Sequence, residues 1–451
     1  MHEKPSPQSQ GPSTSRRELL AFSAVAAGIG LAAGSCAATP GTVFTAQQGA
    51  TRKRPQPGEP IKIGIIGMGA PSTPAMGHAH LQSICALAKA GHEKVEVVAI
   101  SDCAKPYLER GVATARKEQG PGVEVTGYSD YRKLLAREDL HGVLIATPEH
   151  WHAKMAIEAM AGGLDVYCEK PMTYGIENAL RLRAAVHANP QNVFQVGTQF
   201  LQHRKFWKAK ELIAAGAIGK PTFTQTSYCR NSKEGEWLYQ VDPKVTPGEM
   251  LDWEMWCGPE GKHAWDPKVF FQWRRYRAWS TGIIGDLLVH VTSPLVWALD
   301  QGWPTRVTAA GGHYIDKEME NHDQVNLTVE FEKGHTMVIA GSTCNETGLE
   351  VMVRGHEANL YLGSNDCILR PEPKYAEEKS EQTFKSPEMP VPNDQDAHRL
   401  HWFSCMRTRE KAIGDVDTAT KVMVIVDLAT RSMWDGSAYT FDPATLTAKR
   451  V

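Results

Sequence analysis

Three features are scarce in this sequence, and each absence excludes a class of protein. The nine cysteines are scattered, with no Cys-x-x-Cys pair and no Cys/His block at zinc-finger spacing, so no metal site is predicted. The formal net charge is only -2, so the chain lacks the excess of positive charge that is typical of nucleic-acid-binding proteins. The apolar run from Leu19 to about Ala33 is too short for a permanent membrane helix, so no transmembrane span is predicted in the mature chain.

What is present is the composition of a soluble globular protein. Apolar residues make up 42% of the 451 residues and charged residues 22%. These are ordinary values for folded domains, and the length leaves room for about two to three of them. We therefore expect a folded protein of ordinary composition, with no nucleic acid partner.

The first 38 residues have the pattern of an export signal. A polar stretch over 1–14 leads into Arg16-Arg17, which directly precede the apolar run. The arginine pair resembles the twin-arginine signal, which sends proteins across the membrane already folded, often around a cofactor. The leader therefore predicts an exported, periplasmic protein.

The end of the leader leaves two processing routes open. Small residues around Cys36 offer a cleavage site, and Cys36 itself would be the acylated residue of a lipoprotein. The usual leucine three residues before such a cysteine is Ala33 here. Residues 39–60 lack periodicity and are predicted to be a linker.

A dinucleotide-binding unit is predicted from residue 61 onward. The β-branched run Ile61–Ile66 indicates a buried parallel strand, and Gly67-Met68-Gly69 follows it as a tight turn that allows close approach to a pyrophosphate. The next glycine of the fingerprint, Gly77, comes about five residues later than usual. After the second strand, Asp102 is placed to accept hydrogen bonds from the ribose hydroxyls of NAD, and NADP is disfavoured there.

Two further strand ends carry polar motifs. Thr147-Pro148 ends one strand and is followed by a helix that contains His152, while Glu169-Lys170 ends the next strand. Carboxyl ends of parallel strands face the ligand crevice of such a sheet. We therefore predict that Thr147, Pro148, His152, Glu169 and Lys170 contact the cofactor, together with the glycine turn.

These motifs resemble a known family. Thr147-Pro148-x-x-x-His152, Glu169-Lys170-Pro171 and the later Asp286-x-x-x-His290 are similar to those of the glucose-fructose oxidoreductase, inositol dehydrogenase and MocA (Gfo/Idh/MocA) family of NAD(P)-dependent oxidoreductases. The resemblance covers roughly residues 60 to 440. It implies a Rossmann domain over 61–200 and a substrate-binding domain over 201–440.

The second half predicts a different architecture. Runs such as 222–226 and 325–331 alternate with a period of two, which favours an open, mostly antiparallel sheet with helices on one face. Late helices are predicted over 398–409 and 419–434, and they are free to pack back on the Rossmann domain. The fold class is thus α/β, with a doubly wound parallel sheet, followed by α+β.

Asp286 and His290 are the candidate acid-base residues of the second half. A spacing of four places both on one face of a helix. An imidazole can take the proton of a sugar hydroxyl while hydride leaves the same carbon, with Asp286 orienting the base or binding a second hydroxyl. The family resemblance adds Lys170, which would hold the hydroxyl oxygen. A structural hydrogen bond between Asp286 and His290 is the alternative.

A tryptophan-rich stretch is the last unusual feature. Seven of the twelve tryptophans lie between Trp253 and Trp303. Such rings stack on the apolar faces of sugars, so the stretch is predicted to line a carbohydrate cleft or to form ordinary core packing. The adjacent Trp273-Arg274-Arg275-Tyr276-Arg277 is expected to meet hydroxyls or a uronate, or to rim the surface.

The favoured hypothesis is an exported, homo-oligomeric oxidoreductase with tightly bound NAD that acts on a carbinol of a sugar. Outside the cytoplasm no pool of free cofactor exists, which favours a cofactor held through many turnovers. One alternative is an NAD-dependent glycosidase that oxidises a ring hydroxyl, eliminates the aglycone and returns the hydride. A second is a non-catalytic sugar-binding protein.

Overall fold

The computed structural model describes residues 52–451, which lie within one compact unit over Phe44–Val451. The predicted leader, Cys36 and the linker up to residue 51 lie outside the described residues. Residues 52–60 form no regular element, and Arg52 donates hydrogen bonds to the carbonyls of Leu135 and Gly162. Over residues 52–451, no helix combines the length and apolar character needed to cross a membrane.

The first part is a parallel six-stranded sheet, as the sequence predicted. The strand order is β3-β2-β1-β4-β5-β6, so the order reverses between β1 and β4. The strands are β1 (Ile61–Ile66), β2 (Val95–Ser101), β3 (Thr126–Tyr128), β4 (Gly142–Ile145), β5 (Asp165–Cys168) and β6 (Phe194–Val196). The helices are α1 (Met76–Lys89), α2 (Lys105–Gln119), α3 (Tyr131–Leu135), α4 (Glu149–Ala161) and α5 (Ile176–Ala188).

Both faces of this sheet are covered, which explains its continuous apolar strands. Every residue of β4 and β5 is buried. Alternate side chains of β1, such as Ile63 and Ile65, pack with Leu81 of α1, while Ile66 packs with the opposite group that includes Met155 of α4. The carboxyl ends of β1, β2 and β4 are left free to form a crevice at the switch point.

The second part contains a ten-stranded, mostly antiparallel sheet, again as predicted, although β7 and β10 pair in parallel. Its burial alternates along β9 and β10, so one face carries the core and the other is wetter. The strands are β7 (Pro221–Cys229), β8 (Pro304–Gly312), β9 (Gln324–Phe331), β10 (His335–Ser342), β11 (Met352–Gly355), β12 (Ala358–Tyr361), β13 (Cys367–Pro371), β14 (Gln382–Phe384), β15 (Tyr439–Asp442) and β16 (Thr447–Arg450).

Helices of the second half cover the buried face and reach back to the first sheet. Trp402 and Met406 of α10 pack with the core around β1, and Ser432 of α11 accepts a hydrogen bond from the Ala309 amide of β8. The helices are α6 (Arg204–Ala214), α7 (Trp253–Cys257), α8 (Pro267–Gln272), α9 (Val289–Leu299), α10 (Asp394–Thr408) and α11 (Val416–Asp435). A π-helix over Ile284–Leu288 leads directly into α9.

Candidate active site

The glycine turn after β1 has the backbone of a dinucleotide cradle. Gly67 and Gly69 have positive φ values of 89° and 74°. A Cβ on Gly67 would lie 2.9 Å from the carbonyl of Ala146, and one on Gly69 would lie 2.9 Å from the Cα of Ala75. Conformation and space therefore both require glycine here.

Gly77 completes the fingerprint despite its distance along the chain. It lies in the first turn of α1, and a Cβ there would come within 1.8 Å of the Gly67 carbonyl oxygen. Close helix-strand packing is the role of the third glycine in this motif. The extra residues loop out and return through Ala75, whose φ of 45° is left-handed, so the insertion leaves the cradle intact.

Asp102 follows β2 and is tied to the glycine turn. Its Oδ2 accepts hydrogen bonds from the amides of Met68 (2.7 Å) and Gly69 (3.4 Å), and its Oδ1 from the amide of Ala104 (2.8 Å). Burial raises the pKa of this carboxyl, and the three amides oppose the rise. Asp102 thus supports the turn, while its contact with a ribose stays a prediction.

The strand ends border a cleft that opens to solvent, with about 960 Å³ of free space including its mouth. Of the predicted cofactor residues, Gly67, Gly69, Asp102, Thr147 and Pro148 line it. The side chain of Met68 does not: it is fully buried and packs against Gly111 of α2, so only its backbone faces the turn. The glycine turn, which borders the cleft with backbone at Gly67 and Gly69, fits a dinucleotide at the switch point.

His152 does not line this cleft, contrary to the prediction that it contacts the cofactor. Its ring is 1% exposed, with Nδ1 2.7 Å from the Pro171 carbonyl oxygen and Nε2 2.8 Å from the Thr147 carbonyl oxygen. The imidazole is turned inward because both of its nitrogens find acceptors in the turns after β4 and β5. It is a support for those turns.

Glu169 is likewise turned away from the cleft, so its predicted cofactor contact is corrected. Its Oε1 accepts a hydrogen bond from His80 Nε2 at 2.9 Å, and His80 Nδ1 in turn accepts one from Arg399 at 2.7 Å. Because Nδ1 is the acceptor, His80 is neutral. Burial alone would raise the pKa of Glu169, but the bond from His80 and neighbouring cations lower it to about 2.

The tryptophan-rich stretch packs over the nucleotide cleft, which favours the packing alternative for these rings. Trp253 and Trp256 stack at 4.7 Å, and Trp256 lies 4.7 Å from Trp279. Trp256 and Trp273 line the cleft. We call residues 240–274 the covering segment.

The covering segment is attached to the Rossmann domain at three places. Ser72 of the glycine loop donates to the Gln240 carbonyl. At the start of α2, the Lys105 amide donates to the Met250 carbonyl, and the Asp252 amide of the covering segment donates to the Cys103 carbonyl. At the start of α4, the rings of His150 and Trp151 both contact the Trp256 carbonyl at 2.9 Å.

Lys170 and Asp286, both candidate catalytic residues, are in direct contact, and they are joined by Arg274, which the sequence showed only as one member of a basic run. Lys170 Nζ donates to Asp286 Oδ1 at 2.9 Å and to its backbone oxygen at 3.0 Å. Arg274 Nε donates to the same Oδ1 at 2.8 Å. Burial disfavours the Asp286 carboxylate, but the two cations hold its pKa well below the usual range. Asp286 therefore stays ionised and orients Lys170.

His290 lies beside this group without a hydrogen bond to Asp286 in the described part of the chain. The expectations that Asp286 orients this base, or forms a structural pair with it, are therefore corrected. The ring is 8% exposed, packs 5.3 Å from Phe200 and 6.0 Å from Tyr228, and leaves Nδ1 without a partner among residues 52–451. Burial, with repulsion from Lys170, lowers the pKa of His290 to about 3. The imidazole is therefore neutral and free to accept a proton.

The π-helix explains why the four-residue spacing of an ordinary α-helix does not describe the positions of Asp286 and His290. Asp286 lies within Ile284–Leu288, where the wider turn rotates it relative to His290 on α9. Gly285 is required in this turn, since a Cβ there would lie 1.8 Å from Thr281 Oγ1. Single π-turns are frequent at functional sites.

Glu149 was also missed, although it directly follows Pro148 at the strand end. Its carboxylate accepts hydrogen bonds from the amide (2.9 Å) and hydroxyl (3.2 Å) of Thr281, the residue that precedes the helix bearing Asp286. Burial raises the pKa of Glu149 to about 7. Glu149 thus links the cofactor turn to the second half of the site.

The other histidines give no metal site in the described residues. Over residues 52–451, no three His, Cys, Asp or Glu side chains cluster as metal ligands. Tyr167 is buried against His80 and Trp402, and His322 stacks on His313 at 4.6 Å.

Comparison with known proteins places this site in a family. Residues 61–198 match the NAD-binding Rossmann fold of the Gfo/Idh/MocA oxidoreductase family, and residues 259–441 match its C-terminal alpha/beta domain. The residues between the two matches include part of the covering segment.

Curated relatives and solved structures agree with the match. A glycosyl hydrolase family 109 protein of a Shewanella species is 35% identical over 124 residues, 27% of this chain and 25% of that protein. An inositol 2-dehydrogenase of Pseudomonas savastanoi pv. phaseolicola is 30% identical over 186 residues, 41% of this chain and 50% of that enzyme. The chain thus spans a quarter to a half of these relatives. Levoglucosan dehydrogenase, in complex with NADH and levoglucosan, shares the fold with a TM-score of 0.61 at 19% identity, covering 87% of this chain and 99% of its own.

The two family matches together span more than half of the chain, and the first is the family's NAD-binding domain. The chain therefore belongs to the Gfo/Idh/MocA family of oxidoreductases.

Proposed function

We propose that this protein oxidises or reduces a carbinol of a sugar or sugar derivative with a tightly bound NAD. The observation that carries the proposal is the position of Lys170 and His290 around Asp286, next to an arginine that also lines the nucleotide cleft. NAD rather than NADP is proposed because the Asp102 carboxylate follows β2 and lines the cleft.

Each side chain has a role in the proposed reaction. The neutral His290 accepts the carbinol proton, and Lys170 holds the hydroxyl oxygen and stabilises its developing negative charge. Asp286 fixes the Lys170 ammonium through the 2.9 Å bond. When bound, the nicotinamide supplies a hydride acceptor or donor.

The covering segment supports tight retention of the cofactor. Its attachments to the glycine loop, the turn before α2 and α4 must loosen before a dinucleotide can leave the cleft. Retention suits the proposed export, for which the support is the Arg16-Arg17 leader. Replacing both arginines with lysine should leave the protein in the cytoplasm, and unchanged export in cell fractionation would mean another route.

A glycosidase that works through transient oxidation is the second candidate. It is favoured by the local similarity to a glycosyl hydrolase family 109 protein. The low pKa of His290 also suits it, since an imidazolium formed at this site is a strong acid that returns its proton when the hydride is returned.

The test is the nucleotide content of protein purified without added cofactor. Denaturation should release close to one NAD(H) per chain, and Trp256→Ala, which opens the cleft lining, should lower the amount retained. Tyr314→Ala, an exposed aromatic change outside the cleft, is the control and should retain the wild-type amount. No released nucleotide, together with no binding of added NAD, would remove the basis of the redox proposal.

A further inference from the structure

Arg274 has hydrogen-bond donors that the described protein does not use. A guanidinium carries five N–H groups, and within residues 52–451 only the one on Nε has an acceptor, at Asp286 Oδ1. The side chain is 17% exposed, lies 4.2 Å from the centre of the Trp273 ring and lines the nucleotide cleft. The terminal nitrogens are not among the fully buried unpaired atoms of residues 52–451, so they are accessible from the cleft to an anionic ligand.

The arginines that follow Arg274 in the chain have other partners. Arg275 makes two bonds to the carboxylate of Asp316, at 2.6 and 2.9 Å, and is 4% exposed. The Nε of Arg277 donates to the Glu320 carbonyl at 2.9 Å, and within residues 52–451 its terminal nitrogens, like those of Arg274, have no acceptor. Arg274 differs from both because its partner is Asp286, the carboxylate that also holds Lys170, and because it lines the nucleotide cleft.

A second arginine lies on the His290 side of the site. Arg230 follows β7, and its side chain is 43% exposed. Its contacts are long, 3.3 Å to the Tyr228 hydroxyl and 3.2 Å to Glu236. Since the Tyr228 ring packs against His290, this guanidinium lies beside the proposed base.

We propose that the substrate is an acidic sugar whose carboxylate is bound by the terminal nitrogens of Arg274, with Arg230 adding favourable charge. The proposal rests on the proposed function and names its substrate class. A guanidinium matches a carboxylate in a two-bond geometry that a neutral hydroxyl cannot reproduce. Because Arg274 and Lys170 share Asp286 Oδ1, the carboxylate lies next to the carbinol that Lys170 holds.

An oxyanion in this place has one other source, a phosphate of the dinucleotide, since Arg274 also lines its cleft. The substrate is favoured because the Nε of Arg274 is fixed on the carboxylate that orients Lys170. If Arg274 binds the substrate, its removal lowers the preference for the acidic sugar. If it binds a phosphate of the dinucleotide, its removal lowers the nucleotide content.

The experiment uses holoprotein and two pairs of probes, D-glucuronate with D-glucose and D-galacturonate with D-galactose. Binding is measured by calorimetry, and reduction of the bound cofactor by its absorbance. We compare wild type, Arg274→Gln and Arg274→Lys, with Arg277→Gln as a control, since Arg277 is an arginine three residues further on that bonds Glu320 and does not line the cleft. Nucleotide content is measured for each protein.

The wild type should prefer the acid of at least one pair, and Arg274→Gln should lose that preference by about 10- to 100-fold, the effect of removing a hydrogen bond to a charged group. Arg274→Lys should restore part of it, and Arg277→Gln and the nucleotide content should stay unchanged. Equal binding of acid and neutral sugar by wild type overturns the proposal, as does loss of nucleotide from Arg274→Gln with the preference intact. If the acidic sugar binds preferentially but the bound cofactor is not reduced, the carboxylate site is supported and the proposed redox reaction is overturned.

Discussion

The nucleotide cleft and the carbinol site are built in opposite ways. The cleft is formed by backbone turns close together along the chain, with glycines at 67, 69 and 77 and a carboxylate at Asp102 that accepts hydrogen bonds from the amides of Met68 and Gly69. The carbinol site is formed by Lys170, Arg274, Asp286 and His290; ionic contacts join Lys170 and Arg274 to Asp286, and the His290 ring packs beside them. The first site should therefore be sensitive to added side-chain atoms, and the second to the loss of functional groups.

The largest effect is expected from the carbinol site. Lys170→Ala and His290→Ala should each lower the rate of hydride transfer by 10² to 10⁴, roughly 3 to 5 kcal/mol of barrier, because each removes a group that acts on the substrate hydroxyl. Bound NAD should remain, since the glycine cradle is untouched. Single-turnover reduction of the bound cofactor measures the rate.

His356→Ala, at an exposed histidine of the second domain, is the matched control and should keep the wild-type rate. Near-full activity of His290→Ala would mean that another group takes the proton. Loss of nucleotide from either variant would contradict the separation of the two sites.

Glu149 joins the two regions, and its pKa predicts a pH dependence. Burial raises the folded-state pKa to about 7 from an ordinary value of 4.5, so the folded protein binds a proton that the unfolded chain releases between these values. The contribution of Glu149 to the free energy of unfolding should therefore be complete below about pH 4.5 and fall by roughly 3 kcal/mol as the pH rises to about 7. Glu149→Gln should remove this fall.

The measurement is denaturant unfolding of wild type and Glu149→Gln across this pH range. Asp427 also has a raised pKa, about 6, so the difference between the two proteins is the informative quantity. Parallel curves for the two would show that Glu149 is not the group responsible.

A smaller effect is expected from the cradle. Gly77→Ala adds a methyl group 1.8 Å from the Gly67 oxygen, so α1 must move away from β1. Overpacking of this kind costs about 1 to 3 kcal/mol, and the shifted helix should hold less NAD. Thermal unfolding and nucleotide content measure both consequences.

Gly122→Ala is the control, because a Cβ there meets nothing within 4 Å. If Gly77→Ala and Gly122→Ala behave alike, the third glycine is not required for close packing.

The two sites also differ in how much of each could be predicted from the sequence. The strand, glycine turn and Asp102 follow from local spacing, and the resemblance supplied Lys170, Asp286 and His290. Contacts between distant segments could not be predicted from the sequence. His152 turns inward toward the Pro171 carbonyl, and Glu169 turns inward toward His80. The same holds for the π-turn at Asp286, which breaks the ordinary helical period.

The position of the covering segment could not be predicted from the sequence either. Its tryptophans indicated aromatic packing or a sugar cleft, but their position over the nucleotide cleft depends on backbone bonds from Lys105 to Met250 and from Asp252 to Cys103. No periodicity in the sequence reports such pairing. Arg274 was visible only as one member of a basic run, and its partner Asp286 distinguishes it from Arg275 and Arg277.

The central claim is that a sugar carbinol and the bound nicotinamide exchange a hydride at Lys170 and His290. The most direct measurement is to mix holoprotein with sugars deuterated at each carbinol carbon in turn and to determine the mass of the released cofactor. The account predicts that one labelled position transfers a single deuterium to the nicotinamide in wild type, and that the same transfer is about 10² to 10⁴ times slower in His290→Ala. Cofactor that stays unlabelled in wild type with every position, while the same sugars are converted to product, would contradict it.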